Sequence, residues 1–317
     1  MEVIMVLRRI LGRREFTVLI LIFFLSIIFS LTTAKFLSID NLTNILFSLS
    51  PVIISAIGMT MIIITGRIDV SVGSILGMSA VISGFLLTLN TSLVFVILSA
   101  LGTGGFIGLV NGIIIGYGGI PPIITTLGMM NIIRALIFQV LGGGRWITGI
   151  PENLRVIGIG KFLEIPISIW IAIGLIIFFS YFLRSRPLGR YIYAVGNNEE
   201  AARVSGINSR VIRLLVYSIG GILAGFSGVL YATRTGIVQT NTGMGFELDV
   251  IAAVVLGGTS IRGGKGTIVG SLLGAILVGV IKNGMVLLNV PALTEGLIIG
   301  LLIIGSIIID LIKTQGD

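Results

Sequence analysis

Residues 184–213 read RSRPLGRYIYAVGNNEEAARVSGINSRVIR, the longest polar interval in a chain that is otherwise mostly hydrocarbon. It carries six arginines and two glutamates between two apolar runs. Such a segment belongs on the water side of a bilayer, and its arginine excess selects the cytoplasmic side. On both sides of it, apolar runs long enough to span alternate with short polar breaks. The reading is an all-α integral membrane protein with a short cytoplasmic helix in the middle of the chain.

Composition agrees. Of 317 residues, 55% are hydrophobic and 11% charged, with a mean hydropathy of +1.13, values outside the range of soluble domains. Forty-five glycines suit closely packed membrane helices. The absence of cysteine and histidine excludes disulfides, a thiol nucleophile and His-ligated metal or heme. The net charge of +8 is not laid out as a nucleic-acid face. Its placement fits anionic lipid head groups at one surface of a bilayer.

Taking about 20 apolar residues per span, ten helices fall near 16–34, 44–65, 70–89, 92–117, 122–141, 167–183, 211–233, 249–260, 267–288 and 294–312. The eighth is too short to cross alone and reads as a half-helix or as part of a longer element. The first follows Arg8, Arg9, Arg13 and Arg14 and reads as a retained span after a cytoplasmic segment, residues 1–15. With that start, fourteen of the 21 Lys and Arg residues fall inside: those four, Arg67, the six of residues 184–213, Arg262, Lys265 and Lys313. Lys35, Arg145, Arg155, Lys161 and Arg234 fall outside, and Arg134 and Lys282 lie within spans. Both termini are then cytoplasmic, and the whole chain is one polytopic domain.

Several residues stand where a membrane makes them costly. In TGRIDVSVG, from Thr65, Arg67 and Asp69 flank a helix junction, as the lining of a solute path or as an ion pair in a cytoplasmic turn. Asn111, Asn131 and Asn283 suit either hydrogen bonds to solute hydroxyls or ties between helices, the commoner use. Arg134 and Lys282 read as side chains that snorkel toward a helix end. Asp69, Asp249 and Glu295 all fall near span ends, which leaves no proton relay and no paired carboxylates at a shared depth. Outside, residues 142–166 mix Arg145, Glu152, Arg155, Lys161 and Glu164, as a folded cap or as a plain connection.

Residues 258–267, GTSIRGGKGT, were tested against the phosphate-binding loop, which needs Gly, four residues and Gly-Lys-Ser/Thr. Thr259 stands at the first glycine position and Gly266 follows Lys265. The chain therefore carries no recognisable ATPase, no catalytic residues and no metal site of its own.

In the polar loop, Glu200, Ala201 and Ala202 are followed after a three-residue spacer by Gly206, with Asn197 and Asn198 placed to cap a short helix. This spelling resembles the EAA loop of ABC importer permeases. Three further stretches agree in order: GMTMIIITGRIDVSVGS from Gly58, GGIPPIITTLGMMNIIRAL from Gly118, and IAAVVLGGTSIRGGKGTIVGSLLGAILVGVIKNGMVLL from Ile251. Over residues 45–312 the chain resembles the permeases of the ribose, xylose, arabinose and autoinducer-2 class of ABC importers. Where members of that class often have Gly-Gly-Ile-Asp, this chain has Gly66-Arg67-Ile68-Asp69, so transfer of roles to that turn is in doubt.

The resemblance implies a pair of permeases in the bacterial plasma membrane, the second copy identical or paralogous, above cytoplasmic ATPase subunits that bind ATP and Mg. An extracytoplasmic sugar-binding protein delivers solute, and no nucleic acid is involved. Glu200, Ala201, Ala202, Arg203 and Gly206 are then the coupling helix. Asp69, Asn111, Asn131 and Asn283 are candidates for the path, and Arg145, Glu152, Arg155, Lys161 and Glu164 for the binding-protein contact. Nucleosides or branched-chain amino acids stay open as solutes, and a secondary transporter or channel without ATPases is the competing class.

Overall fold

The computed structural model describes residues 14–315; Arg8, Arg9 and Arg13 of the N-terminal basic segment lie outside the described residues. The order is α1 (Arg14–Thr32), α2 (Ile39–Ile64), α3 (Val72–Thr88), α4 (Leu93–Gly116), α5 (Pro122–Val140), a 3-10 turn (Glu152–Leu154), α6 (Val156–Ile159), the strands β1 (Lys161–Phe162) and β2 (Ile165–Pro166), α7 (Ile167–Ser185), α8 (Pro187–Asn197), α9 (Glu199–Val204), α10 (Ser209–Thr235), α11 (Phe246–Leu256), α12 (Ile268–Leu287) and α13 (Ala292–Gln315).

Among the described residues seven helices are long and apolar enough to cross a membrane: Glu15–Thr32 of α1, and α2, α4, α5, α7, α10 and α12. α3 and the Thr294–Gly305 part of α13 are apolar but shorter. A helix stands at each of the ten expected positions. The eighth, α11, has eleven residues and is indeed a half-helix.

α2 and α10 form the centre. α2 is buried along most of its length from Leu49 to Ile64, and α10 packs against α2, α3 and α4. Glycine makes these approaches possible. A Cβ on Gly104 or Gly108 of α4 would run into the backbone of Gly221, Gly225 or Tyr217 on α10, and one on Gly58 of α2 into Gly220. Without side chains between them, backbones meet directly and dispersion contacts replace the hydrophobic drive that lipid does not supply. Polar ties add to this: the Ser55 hydroxyl donates to Ser227 Oγ at 2.9 Å, and Ser227 donates to the Pro51 carbonyl at 2.9 Å. α1, α4, α5 and α7 form the outer ring, with Phe23, Leu31, Phe106 and Ile177 exposed, as lipid or a partner helix requires.

Between α10 and α11 the chain is not helical. Residues 236–245 run down the face of α3, where Gly84 is next to Val238, Gly77 next to Thr242 and Gly73 next to Gly243. Arg134 of α5 reaches this segment and donates to the Thr242 carbonyl at 2.7 Å. Irregular backbone at membrane depth is tolerated because protein covers it. Arg134 does not snorkel. Its guanidinium bonds a backbone carbonyl of this segment.

Candidate functional site

Three connections meet at one end of the bundle. The α2–α3 turn (65–71), the 186–208 segment with α8 and α9, and the α11–α12 connection (257–267) touch through backbone. The Gly264 N–H donates to the Ile64 carbonyl at 2.8 Å, and the Tyr193 hydroxyl of α8 donates to the Gly266 carbonyl at 2.8 Å. A Cβ on Gly196 would strike Ile64 and Gly264. Burial in this junction pushes the Tyr193 phenol above its ordinary range. The glycines of the failed phosphate loop thus serve close packing.

α9 stands on this junction. Asn198 is its N-cap, its side-chain oxygen accepting from the Ala201 N–H at 3.0 Å. At the other end Gly206 has φ +82°; its N–H donates to the Arg203 carbonyl and the Ile207 N–H to the Ala202 carbonyl, both at 3.0 Å. That is a Schellman stop, which favours glycine. Ala202 is buried beneath the helix, while Glu200, Ala201, Arg203, Val204 and Gly206 are exposed. Glu200 and Arg203 pair at 2.9 Å in the open, and Val204 is 82% exposed. Of the five residues read as a coupling helix, four lie on α9 and Gly206 ends it, and all but Ala202 face outward.

The anchor is Glu199, which sequence reasoning passed over for its neighbour. Its carboxylate takes Arg67 of the turn at 3.2 Å, Arg213 of α10 and the Ser209 hydroxyl at 2.9 Å. The turn's two charges do not pair with each other. Asp69 Oδ1 accepts from the Ser71 N–H at 2.8 Å and the Ser71 hydroxyl at 2.6 Å. Burial raises the Asp69 pKa, opposed by hydrogen bonds from Ser71 and Asn111. Burial lowers that of Arg67. Tyr217 of α10 donates to the Ile68 carbonyl at 3.2 Å, and Asn111 of α4 to Ser71 Oγ at 2.9 Å. The turn is therefore wired to the two helices that pack most closely.

The four residues taken together as a path do not come together. Asp69 and Asn111 belong to the buried turn. Asn131 is exposed on α5 and bonds its own helix at the Leu127 carbonyl. Asn283 of α12 exchanges two amide bonds, 2.8 and 2.9 Å, with Asn41 of α2. Lys282, read as snorkelling, instead meets Asp249 of α11 and Glu295 of α13, each at 2.6 Å. Those carboxylates do share a depth. The fold of α11 and α13 around α12, invisible in the sequence, brings them together.

At the opposite end, residues 142–166 carry the 3-10 turn, α6 and the β1–β2 hairpin. Arg145, Glu152, Lys161 and Glu164 are exposed, the last two 4.0 Å apart. Arg155 differs: it donates to the Thr233 carbonyl at 2.8 Å and the Arg234 carbonyl at 2.6 Å, closing the C-terminus of α10.

Residues 41–307 match the family described as branched-chain amino acid transport system / permease component. The chain belongs to this family. The permease is 39% identical over 311 residues to the ribose import permease protein RbsC of Escherichia coli K12, covering 94% of this chain and 97% of that protein. It is 35% identical over 304 residues to the autoinducer 2 import system permease protein LsrC of Salmonella typhi, covering 96% and 87%. With the LsrC protein of Photorhabdus laumondii it shares 36% over 304 residues, covering 96% and 91%. No solved structure matches. The permease is a multi-pass membrane protein and the transport component, not an enzyme.

Proposed function

We propose that this permease is the membrane subunit of an ATP-binding-cassette importer that brings a pentose or related small sugar into the cytoplasm, driven by separate ATPase subunits. The observation that carries the reading is the near full-length similarity to ribose and autoinducer-2 import permeases. The exposed α9 on its anchored junction supplies the place for an ATPase to push. ATP and Mg belong to that partner, because the chain has no phosphate loop of its own.

Ten crossings with both termini cytoplasmic remain the topology of this reading. The α3 and α11 passes are the short ones; α11 is completed by the extended segment 236–245. The junction of residues 65–71, 186–208 and 257–267 is the cytoplasmic face, in keeping with its arginines. At the other end the 142–166 connection and the 236–245 segment meet, with Ile147 and Val238 exchanging backbone hydrogen bonds of 2.9 and 3.0 Å. Arg145, Glu152, Lys161 and Glu164 form the landing surface for an extracytoplasmic sugar-binding protein, with Arg155 bracing it from behind. A second copy or a paralogue completes the channel in the plasma membrane.

The test is co-purification of tagged permease with its ATPase, followed by ribose uptake into proteoliposomes containing both and the binding protein. ATP-dependent accumulation of ribose is expected. Accumulation of a nucleoside or a branched-chain amino acid in place of ribose would change the solute. Transport by permease alone without ATP would make it a secondary transporter or channel.

A further inference from the structure

A cavity of about 410 Å³ opens between α2, α10, α11, α12 and α13, a size common for small-molecule sites. Lys282, Asp249, Glu295, Arg234, Asn44 and Tyr231 contribute to its wall. Ionisable side chains in or beside a membrane span are costly and mark functional sites, and here four gather around one space. Two cations and two carboxylates cancel, so the cavity offers strong donors and acceptors with no net charge. Each carboxylate meets Lys282 through one oxygen. Arg234 is held in place by Ser48 Oγ and by the Phe47 ring 5.7 Å away. Tyr231 and Phe246 add aromatic faces beside the charges.

We infer that this cavity binds a neutral, hydroxyl-rich solute of monosaccharide size on its way through the permease. Hydroxyls both donate to carboxylate oxygens and accept from Arg and Lys, and sugar C–H faces stack on aromatic rings. An anion would meet Asp249 and Glu295, and a cation would meet Lys282 and Arg234. Deeper in the chain, the same site is tied to the coupling junction. α11 carries Asp249 in its first turn, and its eleven residues span about 16 Å to Gly257, where the connection that packs on Gly66 and Gly196 begins. The helix that carries Asp249 therefore runs directly into the junction. The inference rests on the importer reading for its direction of transport, but the site can be tested apart from it.

The chain has no cysteine, so a single thiol reports cleanly. Asn44→Cys and, separately, Thr235→Cys place thiols on exposed wall positions, and Lys35→Cys places one on the exposed α1–α2 connection as a control. The purified full-length permease with its ATPase is treated with a membrane-impermeant maleimide, with and without high ribose. Ribose is expected to slow labelling at the two wall positions several-fold and leave the control unchanged, and labelled wall variants are expected to lose ribose uptake. Protection without ATP-driven uptake would uphold the cavity and sink the importer reading. Unchanged labelling, with uptake intact after modification at both wall positions, would overturn the cavity and indicate a space filled by lipid.

Discussion

Glu199 and Arg67 are 132 residues apart in sequence and 3.2 Å apart in space, and this pair ties the segment carrying α9 to the turn at the end of α2. The same carboxylate holds Arg213 and Ser209 of α10. In the proposed coupling, a push on α9 is thereby delivered to α2, α3 and α10 together. Replacing Glu199 with Ala leaves two half-buried guanidiniums without their carboxylate. With the Glu199 side chain 40% exposed, solvent screens part of the loss, and we expect about 1–2 kcal/mol of destabilisation. Glu200→Ala removes only an exposed pair and should cost no more than about 0.5 kcal/mol. Thermal unfolding in detergent compares them, and equal shifts would refute the anchoring role of Glu199.

Gly206 separates folding from docking. Its φ of +82° favours Gly and tolerates Asn, and a Cβ there meets nothing within 4 Å. Gly206→Asn should melt within a degree or two of the parent and keep its ATPase. Gly206→Asp should also fold, yet it sets a charge on the face offered to the ATPase and should abolish uptake and release that subunit on co-purification. Normal uptake by Gly206→Asp would remove α9 from the coupling path.

Helices were readable because membrane spans announce themselves by length and apolarity, and α9 because its cap, its alanines and its stop are local signals. α8 was not expected: Pro187–Asn197 buries only Gly189, Ile192 and Val195, a pattern too short to stand out from a polar loop. The partners of charged residues were illegible for a different reason. Arg67 lies two residues from Asp69 but bonds Glu199, and Lys282 bonds carboxylates on two other helices. Such pairings depend on which helices pack, which hydropathy does not encode. The departure at Arg67 offered one signal: an arginine introduced into a glycine turn needs a carboxylate, and residues 184–213 held two.

Arg155 tests the division within the external cap. Arg155→Met removes two hydrogen bonds from the carbonyls of Thr233 and Arg234 and should cost about 1–3 kcal/mol of stability. Glu152→Ala and Lys161→Ala touch no such framework and should leave the melting temperature unchanged while weakening capture of the binding protein. The check is calorimetry beside a pull-down with the binding protein. A stable Arg155→Met permease that has lost only the binding protein would move Arg155 from brace to contact.

Asp69 yields a prediction in pH. Burial raises its carboxyl pKa in the folded protein above the ordinary 3.8, with Ser71 and Asn111 opposing the shift. Below 3.8 the group is protonated whether the chain is folded or not, and burial carries no ionic cost. As pH rises above the ordinary value the unfolded chain releases a proton that the native state keeps, and stability falls relative to a neutral side chain until the raised folded pKa is passed. Asn at this position keeps an oxygen for the Ser71 N–H and hydroxyl and never ionises. The melting temperature of Asp69→Asn minus that of the parent should therefore grow as pH rises above the ordinary carboxylate range. A difference that shrinks with this rise would mean that Arg67 and Arg213 stabilise the ionised carboxylate through the junction. The turn would then be held by charge as much as by the Ser71 cap.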